Sequence, residues 1–161
     1  MFPLFESITD LSAQAERVRV RRYGVIEVQG GCLDRIVLRP FPKIVTALGP
    51  LLFGPRAHRR SDGDWCRVYY NQPRSCSNFL AVTYALSSRD CSLKSIRTAA
   101  RVLDDIAELK QTDALLCDVA NSRISDRLLT RWGWQAHCPQ RWHRNFIKRF
   151  YGVYPSSSSA C

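Results

Sequence analysis

The chain has no apolar run long enough to cross a bilayer. The longest, Ile44 to Phe53, is ten residues and is broken by Gly49 and Pro50, against roughly 20 for a spanning helix. The opening "MFPLFESITD" carries Glu6 and Asp10 and lacks a basic start followed by an apolar stretch, so no signal peptide is expected. The seven cysteines (32, 66, 76, 91, 117, 138 and 161) are odd in number, and no two stand at C-x-x-C spacing. A disulfide framework or a zinc ribbon needs pairs. Reduced thiols are therefore expected, several buried as small apolar groups, in a cytoplasmic protein with no structural metal and no membrane partner. Histidine is also scarce. His58, His137 and His143 show neither H-x-x-H nor HExxH spacing, and no GxSxG elbow is present; each histidine reads as structural or surface. RNP, KH and zinc-finger signatures are missing too.

What the chain does have is positive charge. The net charge is +10 over 161 residues, with a pI near 9.7, which points to an anionic partner: nucleic acid, a phosphorylated cofactor or an acidic surface. The length suits one domain with a real core, placed at residues 1–155, followed by a disordered serine-rich tail at 156–161.

Along the chain, "ERVRVRRYGVIEVQ" (16–29) alternates valine with arginine and predicts a half-buried strand ended by Gly30-Gly31. Residues 36–52, interrupted by prolines, predict a short strand and a short helix, and "GPRAHRRSDGD" (54–64) a basic loop. "WCRVYYN" and "NFLAVTYALS" (65–71 and 78–87) form a hairpin pattern. In "SLKSIRTAARVLDDIAELKQ" (92–111), Ile96, Ala99, Ala100, Leu103, Ile106 and Ala107 recur at helical spacing after a capping Ser92. A short strand at 114–120, a helix at 124–132 ended by Gly133, and strand-like "WQAHC" and "RNFIKRFYGVY" follow. Strand–helix–strand units imply parallel neighbours and the front half antiparallel ones. The expected fold is a single-domain α/β protein with a mixed, mostly antiparallel sheet and flanking helices.

This order, with the stretch "DVANSRISDRLLTRWGWQAH" (118–137), resembles the GNAT acyltransferase superfamily over roughly residues 65–137. Asn121, Ile124, Leu128, Leu129, Gly133 and Trp134 follow that family's N-x-x-A-x-x-L-Y-x-x-x-G-F outline, with one extra residue between Asn and Gly. The resemblance implies acyl transfer from acetyl-CoA (acyl-CoA) to an amine acceptor by direct attack. Leu86, Ser87 and Ser88 would hold the pantetheine arm, Asn121 would contact it from the opposite strand, and the helix start at Ser92, Lys94, Ser95, Ile96 and Arg97 would hold the phosphates. Asp118 is the candidate base and Tyr84 the candidate acid. Two departures stand out. The family's glycine-rich phosphate loop is replaced by "SLKSIR", where side chains would either block the phosphate or, at Lys94 and Arg97, supply charge in place of backbone contacts, and the family's tyrosine is replaced by Leu129.

Two other classes compete. One is a non-catalytic GNAT-like scaffold, favoured by those departures. The other is a basic nucleic-acid-binding protein: in "PQRWHRNFIKRFYG" (139–152), Arg141, Arg144, Lys148 and Arg149 interleave with Trp142, Phe146, Phe150 and Tyr151, a composition suited to phosphate attraction and base stacking.

Overall fold

The hairpin pattern at 65–87 folds as expected, into strands β4 (Trp65–Asn71) and β5 (Phe79–Ser87), paired antiparallel with a bulge after Tyr69. The computed structural model describes residues 4–42, 62–119, 124–138, 140–141 and 143–156. The other elements are β1 (Glu6–Ile8), α1 (Ala15–Val20), β2 (Tyr23–Gln29), β3 (Cys32–Arg39), α2 (Leu93–Leu109), β6 (Ala114–Asp118), α3 (Asp126–Arg131), β7 (Gln135–Ala136) and β8 (Asn145–Arg149). The eight strands form one open sheet in the order β1-β3-β2-β4-β5-β6-β8-β7. Only β5 and β6 run parallel among these neighbours. The chain is a single-domain α/β protein whose sheet is mostly antiparallel.

The amphipathic helix α2 organises the core. Its N-cap Ser92 accepts from the Ser95 backbone N–H, and its buried residues Ala99, Val102, Leu103, Ile106 and Ala107 face the sheet. There they join Ile26, Val28, Ile36, Leu38, Leu80 and Leu115 in one cluster. Leu80 and Leu115 are fully buried because β5 and β6 lie in the middle of the sheet under this layer. Fully burying a side chain of this size stabilises the fold by roughly 1.5–3 kcal/mol. Across the helix, Lys148 of β8 forms a buried ion pair with Asp104 at 2.7 Å.

Gly133 ends α3 at φ 86°, the left-handed conformation that a glycine adopts without a Cβ penalty. Trp134 then buries itself in the core. A helix that stops at one glycine between two tryptophans is thus a return from α3 into β7.

Three expectations need correction. Residues 15–20 are helical, with Val18 buried and Val20 exposed. Alternation across three residues cannot tell a strand from a turn and a half of helix, and here tertiary contacts decide: the Lys110 ammonium donates to the carbonyls of Arg19 and Arg21. Second, Gly30-Gly31 ends the strand as expected, but as a two-residue hairpin turn with both φ positive (59° and 81°) that leads straight into the next one. Strand β3 therefore starts at Cys32, earlier than the apolar run suggested. Third, Cys32 is disulfide-bonded, so the reading of every cysteine as a reduced thiol fails there. The helix expected within 36–52, most of the loop at 54–64, and the tail from 157 lie outside the described residues.

Candidate functional site

The parallel strands β5 and β6 stay together for four residues, from Phe79 opposite Ala114 to Val82 opposite Cys117, and then part. Beyond that point β5 runs on to Ser87 beside β4, while β6 ends at Asp118 beside Asn145 of β8. A depression of about 290 Å³ opens where they part, lined by Ala81, Val82, Leu116, Cys117, Asp118, His137, Asn145 and Phe146. Its surface is mainly apolar, with the polar groups gathered at one end of the strands, the arrangement common to small-molecule sites.

Asp118, one of the lining residues, meets His143, which is not one of them. Its Oδ2 lies 2.6 Å from His143 Nδ1, and the two side chains are about half exposed (46% and 54%). With Nδ1–H donating to the carboxylate, Nε2 carries the lone pair and faces away from Asp118. In that tautomer Nε2 is the acceptor atom of a ring that is about half exposed. Asp118 was expected here from the sequence. His143 was not, because it lies 25 residues further along and is brought in by the approach to β8, which no local spacing signals. Cys117 is a different case. Burial, reinforced by the charge of Asp118, pushes its thiol up to about 12, so at neutral pH it is no thiolate nucleophile.

Ser92 and Ser95, two of the residues expected to hold phosphate, are otherwise engaged. Asp64, just before β4, accepts from the Ser92 backbone N–H at 2.8 Å, from Ser92 Oγ at 2.6 Å and from Ser95 Oγ at 2.7 Å. The first turn of α2 thus already has its anion. Burial raises the Asp64 carboxyl, but the hydrogen bonds from Ser92 and Ser95 outweigh it and hold the group below its ordinary value. The same turn docks on the β2–β3 hairpin, where the Gly31 N–H donates to Ser95 Oγ and Thr98 Oγ1 donates to the Gly31 carbonyl. Lys94 lays its stem over Gly31, where an added Cβ would come within 2.5 Å of it. Ile96 packs against the core and Arg97 faces solvent. A phosphate at this helix start would meet a carboxylate, so Ser92 and Ser95 do not fit the phosphates of coenzyme A.

On β5, Leu86 and Ser87 pair with Arg67 and Cys66 of β4, and Ser88 bonds the backbone of Trp65. From Thr83 to Leu86, β4 is the only strand neighbour of β5 among the described residues. Tyr84 stacks against Tyr69, ring centroids 6.0 Å apart, and does not line the depression. Asn121 lies outside the described residues.

The basic C-terminal segment is largely satisfied from within. Phe146 and Phe150 are buried, Lys148 is paired with Asp104, Arg144 with Asp126, and Arg149 donates to Gln135. Tyr151 is the exposed aromatic there; Trp142 lies outside the described residues. Two of the four interleaved aromatics, Phe146 and Phe150, are thus core residues.

No helix among the described residues is long and apolar enough to cross a membrane. They contain no cluster of three or more His, Cys, Asp or Glu residues placed to hold a metal. No protein-family model, curated protein or solved structure matches the chain.

Proposed function

We propose that the chain is an acyltransferase of GNAT-like architecture that moves an acyl group from a thioester to an amine, with its reaction centre where β5 and β6 part. One observation carries this reading: the parallel strands β5 and β6 part after Val82 and Cys117 at an apolar depression, and one of its lining residues, Asp118, is bonded to the half-exposed imidazole of His143. A parting parallel pair leaves β5 an edge along which an extended pantetheine arm can lie, in the manner of an added strand. The apolar depression suits an acyl thioester, and Asp118 with His143 suits an ammonium that must lose a proton. The order β4-β5-β6-β8-β7 also agrees with the strand–helix–strand return that carried the resemblance. The donor's phosphates are the poorly supported part, because Asp64 already occupies the start of α2.

Isothermal titration with acetyl-CoA and, in parallel, S-acetyl-pantetheine tests the reading. Both are expected to bind, with similar affinity, since the arm and the acyl group supply the contacts and the helix start supplies none for phosphate. Binding of neither would remove the acyltransferase reading. It would leave the non-catalytic scaffold, the second reading, which the closed α2 start favours. Binding of acetyl-CoA alone would show that the phosphates are held by other basic side chains.

A further inference from the structure

The Asp118–His143 pair extends the proposed reaction and rests on it. We infer that His143 Nε2 is the general base for the acceptor amine, and that Asp118 is a positioning residue that fixes the imidazole through Nδ1. Four observations bear on this.

The 2.6 Å contact uses one ring nitrogen and leaves the other as the acceptor. Asp118 is the last residue of β6, directly beyond the point where β5 leaves it, and in register with Asn145 of β8. His143 stands two residues before Asn145 and is tied by a backbone bridge to Gln140, which restrains its main chain. Both partners are about half exposed, so an incoming amine reaches the imidazole without any movement of the core.

The surrounding charges leave the pair available. Arg144, the neighbouring cation, is committed to Asp126 and the Ile124 carbonyl of α3's approach. His137, which lines the same depression, lies 3.4 Å from Cys138 Sγ by its Nε2. Arg141 is the remaining charged residue of the same loop and has an interaction of its own. Cys117 at the floor is a thiol, so the acyl group has no nucleophilic protein acceptor there. The reaction is then a direct transfer. An ammonium R–NH3+ gives one proton to His143 Nε2, and the amine nitrogen forms a bond to the thioester carbonyl carbon. The C–S bond breaks with its electron pair going to sulfur. The second nitrogen proton passes to that sulfur, giving amide and thiol, and His143 returns its proton to solvent. General bases of this kind contribute roughly 10²–10⁴-fold in rate.

The test follows thiol release from acetyl-CoA with spermidine, tyramine and lysine amide as acceptors, for the wild type, His143→Ala, His143→Gln and Asp118→Asn. Circular dichroism confirms that each is folded. The expected result is that both His143 variants lose roughly 10²–10⁴-fold in kcat with little change in KM for the thioester. The acidic limb of the pH profile disappears in both, and free imidazole restores part of the rate to His143→Ala. Asp118→Asn is expected to retain more rate than either His143 variant, with little change in KM for the thioester and no rescue by free imidazole, because its own imidazole is still present. Transfer at wild-type rates by both His143 variants would overturn the dyad and leave the acyltransferase reading standing. A wild type that binds neither donor and releases no thiol with any of the three amines would overturn both together.

Discussion

The carboxylate of Asp64 sits on Ser92, 2.6 Å from its hydroxyl and 2.8 Å from its backbone nitrogen, and so closes the N-terminus of α2 from within the chain. A helix start is a ready anion site because its first N–H groups have no intrahelical partner and the dipole favours negative charge. In this protein the anion is the residue that leads into β4. The contact therefore does two jobs: it caps the helix that organises the core, and it ties the β4 entry to it.

Removing that carboxylate should be measurable in two ways. Asp64→Ala is expected to lower stability by about 2 kcal/mol, since it removes hydrogen bonds to a charged group at a cap. It should also open the site, so that sulfate raises the thermal midpoint of the variant and not of the wild type. The pH dependence has a definite sign. The folded carboxyl titrates below its ordinary value, so its contribution is present above the unfolded value of about 3.9 and is lost as pH falls through the folded one. Asp64→Asn should flatten that acid limb in urea titrations run between pH 2 and 5. A limb unchanged in the variant would mean that the carboxylate does not hold the helix start.

The buried pair of Lys148 and Asp104 gives a second prediction. Both side chains are about nine-tenths buried, and burial raises the Asp104 carboxyl, with the bond and charge of Lys148 offsetting this in part. Lys148→Met is expected to cost about 3 kcal/mol at neutral pH, because it strands a carboxylate in the core. The cost should shrink in mild acid, where Asp104 takes a proton and becomes neutral. Adding Asp104→Leu should recover much of the loss, since replacing both ions with apolar groups is often neutral. Chemical unfolding of the two single variants and the double variant at two pH values measures this. An equal cost for Lys148→Met at both would rule out the stranded charge.

The back half was legible for a physical reason. Helix α2 and strands β4, β5 and β6 are long, periodic and buried, and there hydrophobic pattern and burial coincide. Gly133, with its positive φ, could be read as a helix stop for the same reason. The front half was harder, since Val18 and Val20 alternate with arginines as in a strand, yet that segment is helical because Lys110, some 90 residues away, takes its carbonyls. The site divides along the same line. Asp118 could be placed from its position at a strand end, whereas His143 and Asp64 depend on contacts between segments far apart in sequence. Ser92 was recognised as a cap, but its partner carboxylate lies 28 residues earlier, at the start of the neighbouring strand β4. Nothing in "SLKSIR" shows that the anion it would bind is already part of the chain.

Asp105 gives the last prediction, and it runs opposite to that of Asp64. Burial, followed by the charges of Asp104 and Glu108, raises its carboxyl to about 6, with Arg101 opposing. The folded value thus lies above the unfolded one of about 3.9. Between these values the folded state holds more protons than the unfolded state, so stability falls as pH rises from about 4 through 6. The group is only partly buried, and solvent screening reduces the effect to about 1 kcal/mol. Asp105→Asn removes the titrating proton and keeps the size of the side chain. The variant should match the wild type near pH 4 and exceed it by about 1 kcal/mol at pH 7, a gap that urea midpoints at the two values resolve. A constant difference across that range would show that Asp105 is ionised normally, and that α2 carries its acidic cluster without strain.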